Sequence, residues 1–491
     1  MKKLSVLQKN KYVSGILYLF GILLLLGPLF YSFKAMIWLD PAIIMTEMES
    51  IAKGYIPYKT MHLNYPPLFF YMMVGLKKLF KIPYGFYNFY LFINYLFLFG
   101  SAVCLDVIGR QFSGKKFLSD FSAWLYVLVM LKLGADSVMF AVPSIFFGLL
   151  SCLLCLLLKE KHPICFIIIG MIAACSFLVK QFGAGYFALI MFLVFCFCER
   201  NKWEKFFLFC LGYVIPIIVV FTAFGWEFVE STLLNGYGTT TNALRGEDIS
   251  IQSKITIILR SSIRSITQSF MIVLSSICLL PMFYEQKKWK EILFCFLGFA
   301  VFCLQYYFAS SGHPHYRQYM APFAILMIPT LSILDFKKNH VAFMICFVGV
   351  FLTMYKPIRY GLKNSLKKPI QHYCETGRDA QYKQAAELCR HVDEGSTIWI
   401  ANTGLLNYYY FTNWSTPNMK QVGYSAGPWE ITIESATLQV DSADYVLCSQ
   451  VGGWEDDFDY YLKPLRPYIE SFPCDTILGY LLLYDMRKRL D

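Results

Sequence analysis

The chain has 491 residues, of which 57% are apolar and only 16% charged, a balance that excludes a large soluble globule and places it among polytopic membrane proteins. Its formal net charge of +11 comes from Lys and Arg in short clusters between apolar runs, the distribution of topology signals and not of a nucleic-acid surface. Most of the 16 cysteines sit inside apolar runs such as CLLCLLL and VFCFC, where the thiol acts as a small buried hydrophobe. Cys374, Cys389, Cys448 and Cys474 fall in the polar tail, and their pairing is left open.

The basic N-terminus, MKKLSVLQKNKYVSG, leads into an apolar run at 13–33 without a convincing small-x-small cleavage site, so it reads as a retained first span. Further spans are predicted near 87–108, 118–134, 137–158, 163–179, 182–198, 205–225, 268–284, 291–309, 319–335 and 340–355. The stretch PPLFFYMMVGLKKLF at 66–80 is apolar, but its length and its trailing Lys77, Lys78 and Lys81 fit an interfacial helix better. If it does not span, every short basic connector shares the side of the basic N-terminus: Arg110 with Lys115 and Lys116, Lys159 with Lys161, Arg200 with Lys202 and Lys205, Lys287 with Lys288 and Lys290, and Lys337 with Lys338. The expectation is therefore a polytopic α-helical membrane protein of about 11 transmembrane helices with a cytoplasmic N-terminus.

An odd number of spans puts the tail outside. From 364 onward the composition becomes a soluble mixture, with a helical pattern in DAQYKQAAELCRHV and strand-like runs in STIWIA, ADYVLCS and GYLLLYDM. Two domains follow: a transmembrane domain at 1–363 and an extracytoplasmic α/β domain at 364–491. No internal repeat is visible, which disfavours an inverted-repeat transporter.

This topology sorts the polar residues by side. The outer face receives Asp40, Glu47, Glu49 and His62 in the first loop, Asp136 in the turn LKLGADSVMF, and Lys180 with Gln181 after the fifth span. It also receives NGYGTTTNALRGED, which carries Arg245, and SSGHPHYRQY, which carries His313, His315, Tyr316 and Arg317. The inner face keeps mainly basic anchors, so the pattern points to a site opening outward at the membrane surface.

The same residues carry a family resemblance. Asp40 just after the first span, then Gly54-Tyr55-Ile56-Pro57-Tyr58 and Pro66-Pro67-Leu68, resembles the first external loop of polyprenyl-phosphate-sugar-dependent glycosyltransferases of the GT-C type. That group includes protein O-mannosyltransferases, aminoarabinose transferases of lipid A and RgtA/B/C/D-like enzymes. Asp136, Lys180-Gln181, and His315-Tyr316 ahead of Pro322 are also similar to its pattern, as is the α/β tail. The chain has Pro41 where the family often has Glu, Tyr65 where it commonly has Lys, and Thr60 where it often has an acid.

The resemblance implies a hexosyl- or pentosyltransferase that moves sugar from a polyprenyl-phosphate donor to a cell-envelope glycan, lipid or protein at the outer face, with membrane lipid as its setting. Asp40 is then the base for the acceptor hydroxyl in an inverting displacement, although Asp before Pro41 also reads as a helix cap. Asp136 is a second acid, positioning the acceptor or binding a divalent cation with Asp40, or a turn residue; no cofactor is assigned with certainty and metal ligands are unknown. Glu47, seven residues after Asp40, can share its helix face, whereas Glu49 reads as solvated. Lys180, Arg245 and Arg317 are candidate phosphate ligands or ordinary headgroup anchors. Gln181, His62, His313 and His315 are candidates for orienting substrate, without any HExxH spacing, and Tyr55, Tyr58 and Tyr316 for stacking on sugar rings. Asn413-Trp414-Ser415 matches a glycosylation acceptor pattern. The alternatives are a transporter or flippase of a lipid-linked intermediate, disfavoured by spans nearly free of charge at mid-depth, and an oligosaccharide polymerase or ligase.

Overall fold

In the computed structural model every apolar run predicted to span carries helix. The structure describes residues 11–61, 63–234, 270–286, 289–308, 314–336, 339–366, 377–402, 405–417, 433–450 and 462–488, with scattered positions at 256–269. Among the described residues, five helices are long and apolar enough to cross a membrane: Tyr87–Ser113, Lys116–Ala135, Lys202–Phe224, Trp289–Tyr306 and His340–Ser365. Leu19–Ser32, Ala141–Leu157, Cys165–Val179 and Gln181–Phe197 are apolar but shorter. The run at 268–284 departs from expectation, dividing at Leu279 into Met271–Cys278 and Leu280–Glu285. Pro281 explains the break, since it lacks an N–H and its ring excludes the carbonyl four residues earlier.

The chain divides into two compact units. The first comprises 1–33, 91–220 and 248–368 and is built of helices. Small residues let its helices approach closely, as membrane packing requires. A Cβ added at Gly170 would overlap the Phe209 carbonyl oxygen, and one added at Gly212 would overlap that of Ile167, so the two helices touch backbone to backbone. Ser144 and Ser176 donate reciprocally to each other's carbonyl oxygens at 2.9 and 2.7 Å.

The second unit comprises 34–90, 221–247 and 369–491, so the first loop folds with the C-terminal region. Its centre is a four-stranded sheet of order β1-β2-β4-β3, made of Ile398–Ile400, Tyr445–Ser449, Cys474–Ile477 and Leu481–Asp485 as β1 to β4. β1 and β2 run parallel, while β4 is antiparallel to both β2 and β3. Alternating side chains feed two cores, as a pleated strand demands. Ile398, Ile400, Leu447 and Leu483 pack with Leu388 and Tyr409 on one face; Trp399, Val446 and Tyr484 pack with Val440 and Ile469 on the other. Ile43, from the first-loop helix Leu39–Ala52, joins the first of these cores. Cys389, Cys448 and Cys474 form no disulfide among the described residues, and Cys374 lies outside them.

The stretch after the double proline forms the helix Leu68–Phe80, 13 residues long. At 1.5 Å per residue it reaches about 20 Å, short of the roughly 30 Å hydrocarbon core. It buries Phe69, Phe70, Met73 and Val74 along one face and leaves Leu79 and Phe80 exposed.

Candidate functional site

In the second unit, Asp40 lies in the first turn of the helix Leu39–Ala52, half-buried. The N-cap position is Trp38, so Asp40 does not cap the helix; its carboxylate sits where the helix dipole favours negative charge. Two turns further on, Glu47 is 4% exposed, and burial pushes its carboxyl well above the ordinary Glu range. One of its oxygens has no hydrogen-bond partner among the described residues.

Glu49 is 3% exposed and pairs with Lys77 of the following helix, which corrects its reading as a solvated face. Its surroundings explain why: Lys77 and Lys53 both lie over the Tyr84 ring, 5.7 and 5.6 Å from its centroid, and Tyr84 donates to the Tyr410 carbonyl at 2.7 Å. Lys53 also donates to Asn413 Oδ1 at 2.5 Å, placing the glycosylation-pattern asparagine in this network. Lys77, expected among the trailing interfacial cations, is thus a structural partner inside the unit.

Tyr58 takes a left-handed backbone, φ 65°, that a bulky residue adopts only when its surroundings hold it there. Its hydroxyl donates to the Tyr65 carbonyl at 2.6 Å, and its buried ring meets Phe224 and Phe228 edge-on at 5.4 and 5.8 Å. The Gly54–Tyr58 motif therefore closes the loop onto the residue before the double proline.

In the first unit, Asp136 follows a π-turn, Leu131–Ala135, in which Gly134 takes φ 98°. Side-chain amides hold that turn: Asn94 donates to the carbonyls of Ala135 and Ser137 at 3.3 and 3.1 Å, and Gln318 donates to that of Leu133 at 3.0 Å. The Asp136 carboxylate accepts a hydrogen bond from Tyr360 at 3.2 Å. Burial raises its pKa, and the Tyr360 bond opposes part of that rise. One turn before Asp136, Lys132 lies within electrostatic reach of Lys356 and Arg317. Lys132 thus has two further cations within its reach, a concentration of positive charge that suits an anionic ligand.

Lys180 is 3% exposed, with its ammonium 4.4 Å from the Tyr316 ring centroid and 5.9 Å from that of Phe182. Those two rings stack at 4.9 Å, and Gln181 and Arg317 are buried. The 3-10 turn Pro314–Tyr319 brings Tyr316, Arg317 and Gln318 to this region. His315 belongs to that turn, but its side chain lies outside the described residues, as do His62, Arg245 and His313. Among the described residues no three His, Cys, Asp or Glu side chains cluster as a metal site.

Lys132, Lys356 and Tyr360 escaped the sequence reading. A lysine between Met130 and Leu133 looks like part of a span, and Lys356 and Tyr360 look like membrane-interface residues. The available signal was the proximity of Lys132 to Asp136 in one turn.

No family model matches the chain, and no curated protein matches it. Solved structures do: ArnT from Cupriavidus metallidurans in the apo state aligns at TM-score 0.58 and 12% identity, over 96% of this chain and 98% of that one. The same protein bound to undecaprenyl phosphate aligns at TM-score 0.58 and 13% identity over the same shares. Over nearly its whole length, the chain has the GT-C-type membrane fold of ArnT.

Proposed function

We propose that the protein transfers a hexosyl or pentosyl residue from a polyprenyl-phosphate sugar to a cell-envelope acceptor at the outer face of the membrane. The observation that carries this reading is the fold shared with ArnT, one of whose structures holds undecaprenyl phosphate. About eleven crossings, a cytoplasmic N-terminus and an extracytoplasmic α/β region go with it, on the charge pattern of the connectors.

The chemistry asks for a base and for cations. The acceptor oxygen attacks the anomeric carbon and its proton passes to Asp40; the bond from that carbon to the phosphate oxygen breaks, and the lipid phosphate leaves with the electron pair. A single displacement of this kind inverts the anomeric centre. Within the helical unit, Lys132, Lys356, Arg317 and Lys180 are the cations that suit a lipid phosphate. Asp136, which accepts a hydrogen bond from Tyr360, would position the acceptor.

The test reconstitutes the full chain in liposomes with undecaprenyl-phosphate glucose, galactose, mannose and arabinose, and follows release of undecaprenyl phosphate with glycosylated product. Transfer by wild type and its loss in Asp40→Asn support the reading. Transfer by Asp40→Asn at the wild-type rate removes the base, and passage of lipid-linked sugar across the bilayer without transfer overturns the enzyme.

A further inference from the structure

We infer that Gln381, in the C-terminal α/β region, is the positioning residue for Asp40. This rests on the proposed role of Asp40 as base and gives the C-terminal region a part in catalysis.

Ile37 immediately precedes Trp38, the N-cap of the Asp40 helix. The Ile37 N–H donates to Gln381 Oε1 at 2.8 Å, and Gln381 Nε2 donates to the Ile37 carbonyl at 2.9 Å. One buried side-chain amide therefore satisfies both backbone groups of the residue that sets the chain's entry into the helix. Such a paired bond fixes orientation as well as distance, and a buried backbone group that loses its partner costs free energy.

The hold extends along the first loop. The Arg378 N–H donates to the Lys34 carbonyl at 3.2 Å, and the Arg378 side chain bonds Asn88 while lying 4.4 Å from the Tyr87 ring centroid. Tyr382 donates to the Gly85 carbonyl at 2.6 Å. Further along the Asp40 helix, Ile43 packs in the core beneath the sheet, and at its C-cap Lys53 binds Asn413. The helix bearing Asp40 is thus seated at its entry, its first turns and its end, and Gln381 holds the entry, three residues before Asp40. A base displaced by even about 1 Å loses rate steeply while substrate binding is spared.

The experiment compares Gln381→Leu, Gln381→Glu, Asp40→Asn and an exposed control, Arg390→Ala, in the reconstituted full chain. The donor is whichever of undecaprenyl-phosphate glucose, galactose, mannose or arabinose the wild type turns over. Hydrogen exchange at 37–43 and at 445–449 is measured in parallel. The expected result for Gln381→Leu is a kcat reduced about tenfold or more, a donor KM within about twofold of wild type, faster exchange at 37–43 and unchanged exchange at 445–449. Arg390→Ala retains wild-type turnover.

Wild-type kcat in Gln381→Leu, or a loss confined to KM, overturns the proposal. If Gln381→Leu also loosens 445–449, Gln381→Glu decides, because it keeps the acceptor for the Ile37 N–H and removes the donor to its carbonyl; full kcat in that variant overturns the proposal and reduced kcat with intact 445–449 supports it. Asp40→Asn separates the two readings. An active Asp40→Asn overturns the base and the positioning role with it, whereas an inactive Asp40→Asn beside a fully active Gln381→Leu overturns the positioning role alone.

Discussion

The Tyr360 hydroxyl donates to an Asp136 carboxylate oxygen at 3.2 Å, joining a turn after one helix to the far end of another 224 residues later. The bond favours the charged carboxylate, while burial favours the neutral acid, and the net shift is upward. Removing the donor raises the Asp136 pKa further, so a higher pH is needed to ionise it. If the Asp136 charge serves transfer, Tyr360→Phe moves the acidic limb of the kcat profile up by about one pH unit. The variant then loses more activity at pH 6 than at pH 8, and an unmoved profile removes Asp136 from the reaction.

The cations around Lys132 make a separate prediction. Lys132→Ala and Lys356→Ala should each weaken binding of undecaprenyl phosphate about tenfold, since each removes one charge-assisted contact to phosphate. Rising salt should narrow the gap between variant and wild type. Titration of the reconstituted protein with undecaprenyl phosphate checks both, and equal affinity in the two variants and wild type rejects the cluster as a phosphate site.

Glu47 should make stability fall as pH rises. Its folded carboxyl holds a proton at pH values where the unfolded chain has lost it, so the folded state binds more protons between the ordinary Glu value and the raised one. The associated stability is present at low pH and is lost as pH climbs through the folded value. Glu47→Gln should flatten this dependence and raise stability at neutral pH by about 1–3 kcal/mol, read as thermal unfolding in detergent across pH 4 to 8. A variant that keeps the wild-type slope assigns the pH dependence elsewhere.

The Glu49–Lys77 pair is enclosed, with side-chain exposures of 4% and 16%. Lys77→Met removes the ammonium paired with a buried carboxylate, leaving only the more distant Lys53 charge, and should cost about 3 kcal/mol. Adding Glu49→Gln should recover a large part of that loss, a coupling that a double-mutant cycle on unfolding midpoints measures. Additive losses would mean that the two side chains act independently.

Backbone contact in the helical unit yields the last prediction. Gly212→Val forces a branched side chain against the Ile167 carbonyl and should destabilise the protein by about 1–3 kcal/mol. Gly15→Ala, with open space around it, should leave the unfolding midpoint unchanged.

The helices were legible because an apolar run needs no partner to be recognised, and the strand patterns STIWIA, ADYVLCS and GYLLLYDM lie on β1, β2 and β4. Local chemistry also marked the Leu131–Ala135 turn, through Gly134 and the polar residues after it. Pairings were not legible. Glu49 looks solvated until Lys77 is found 28 residues away, and Lys132 looks like a span residue until Lys356 and Arg317 fold beside it. Nothing in the first loop announces that Gln381 will satisfy Ile37, because long-range partners leave no periodicity in either segment.

The bond between Ile37 and Gln381 spans 344 residues. At a synthesis rate of about 5–20 residues per second, the first loop waits roughly 20–70 s for its partner to be made. Throughout that interval Ile43 and the backbone of Ile37 have no sheet and no amide to receive them. Nascent chains caught at this stage should present the loop to proteases and chaperones, and completion of the last quarter of the chain should close that window.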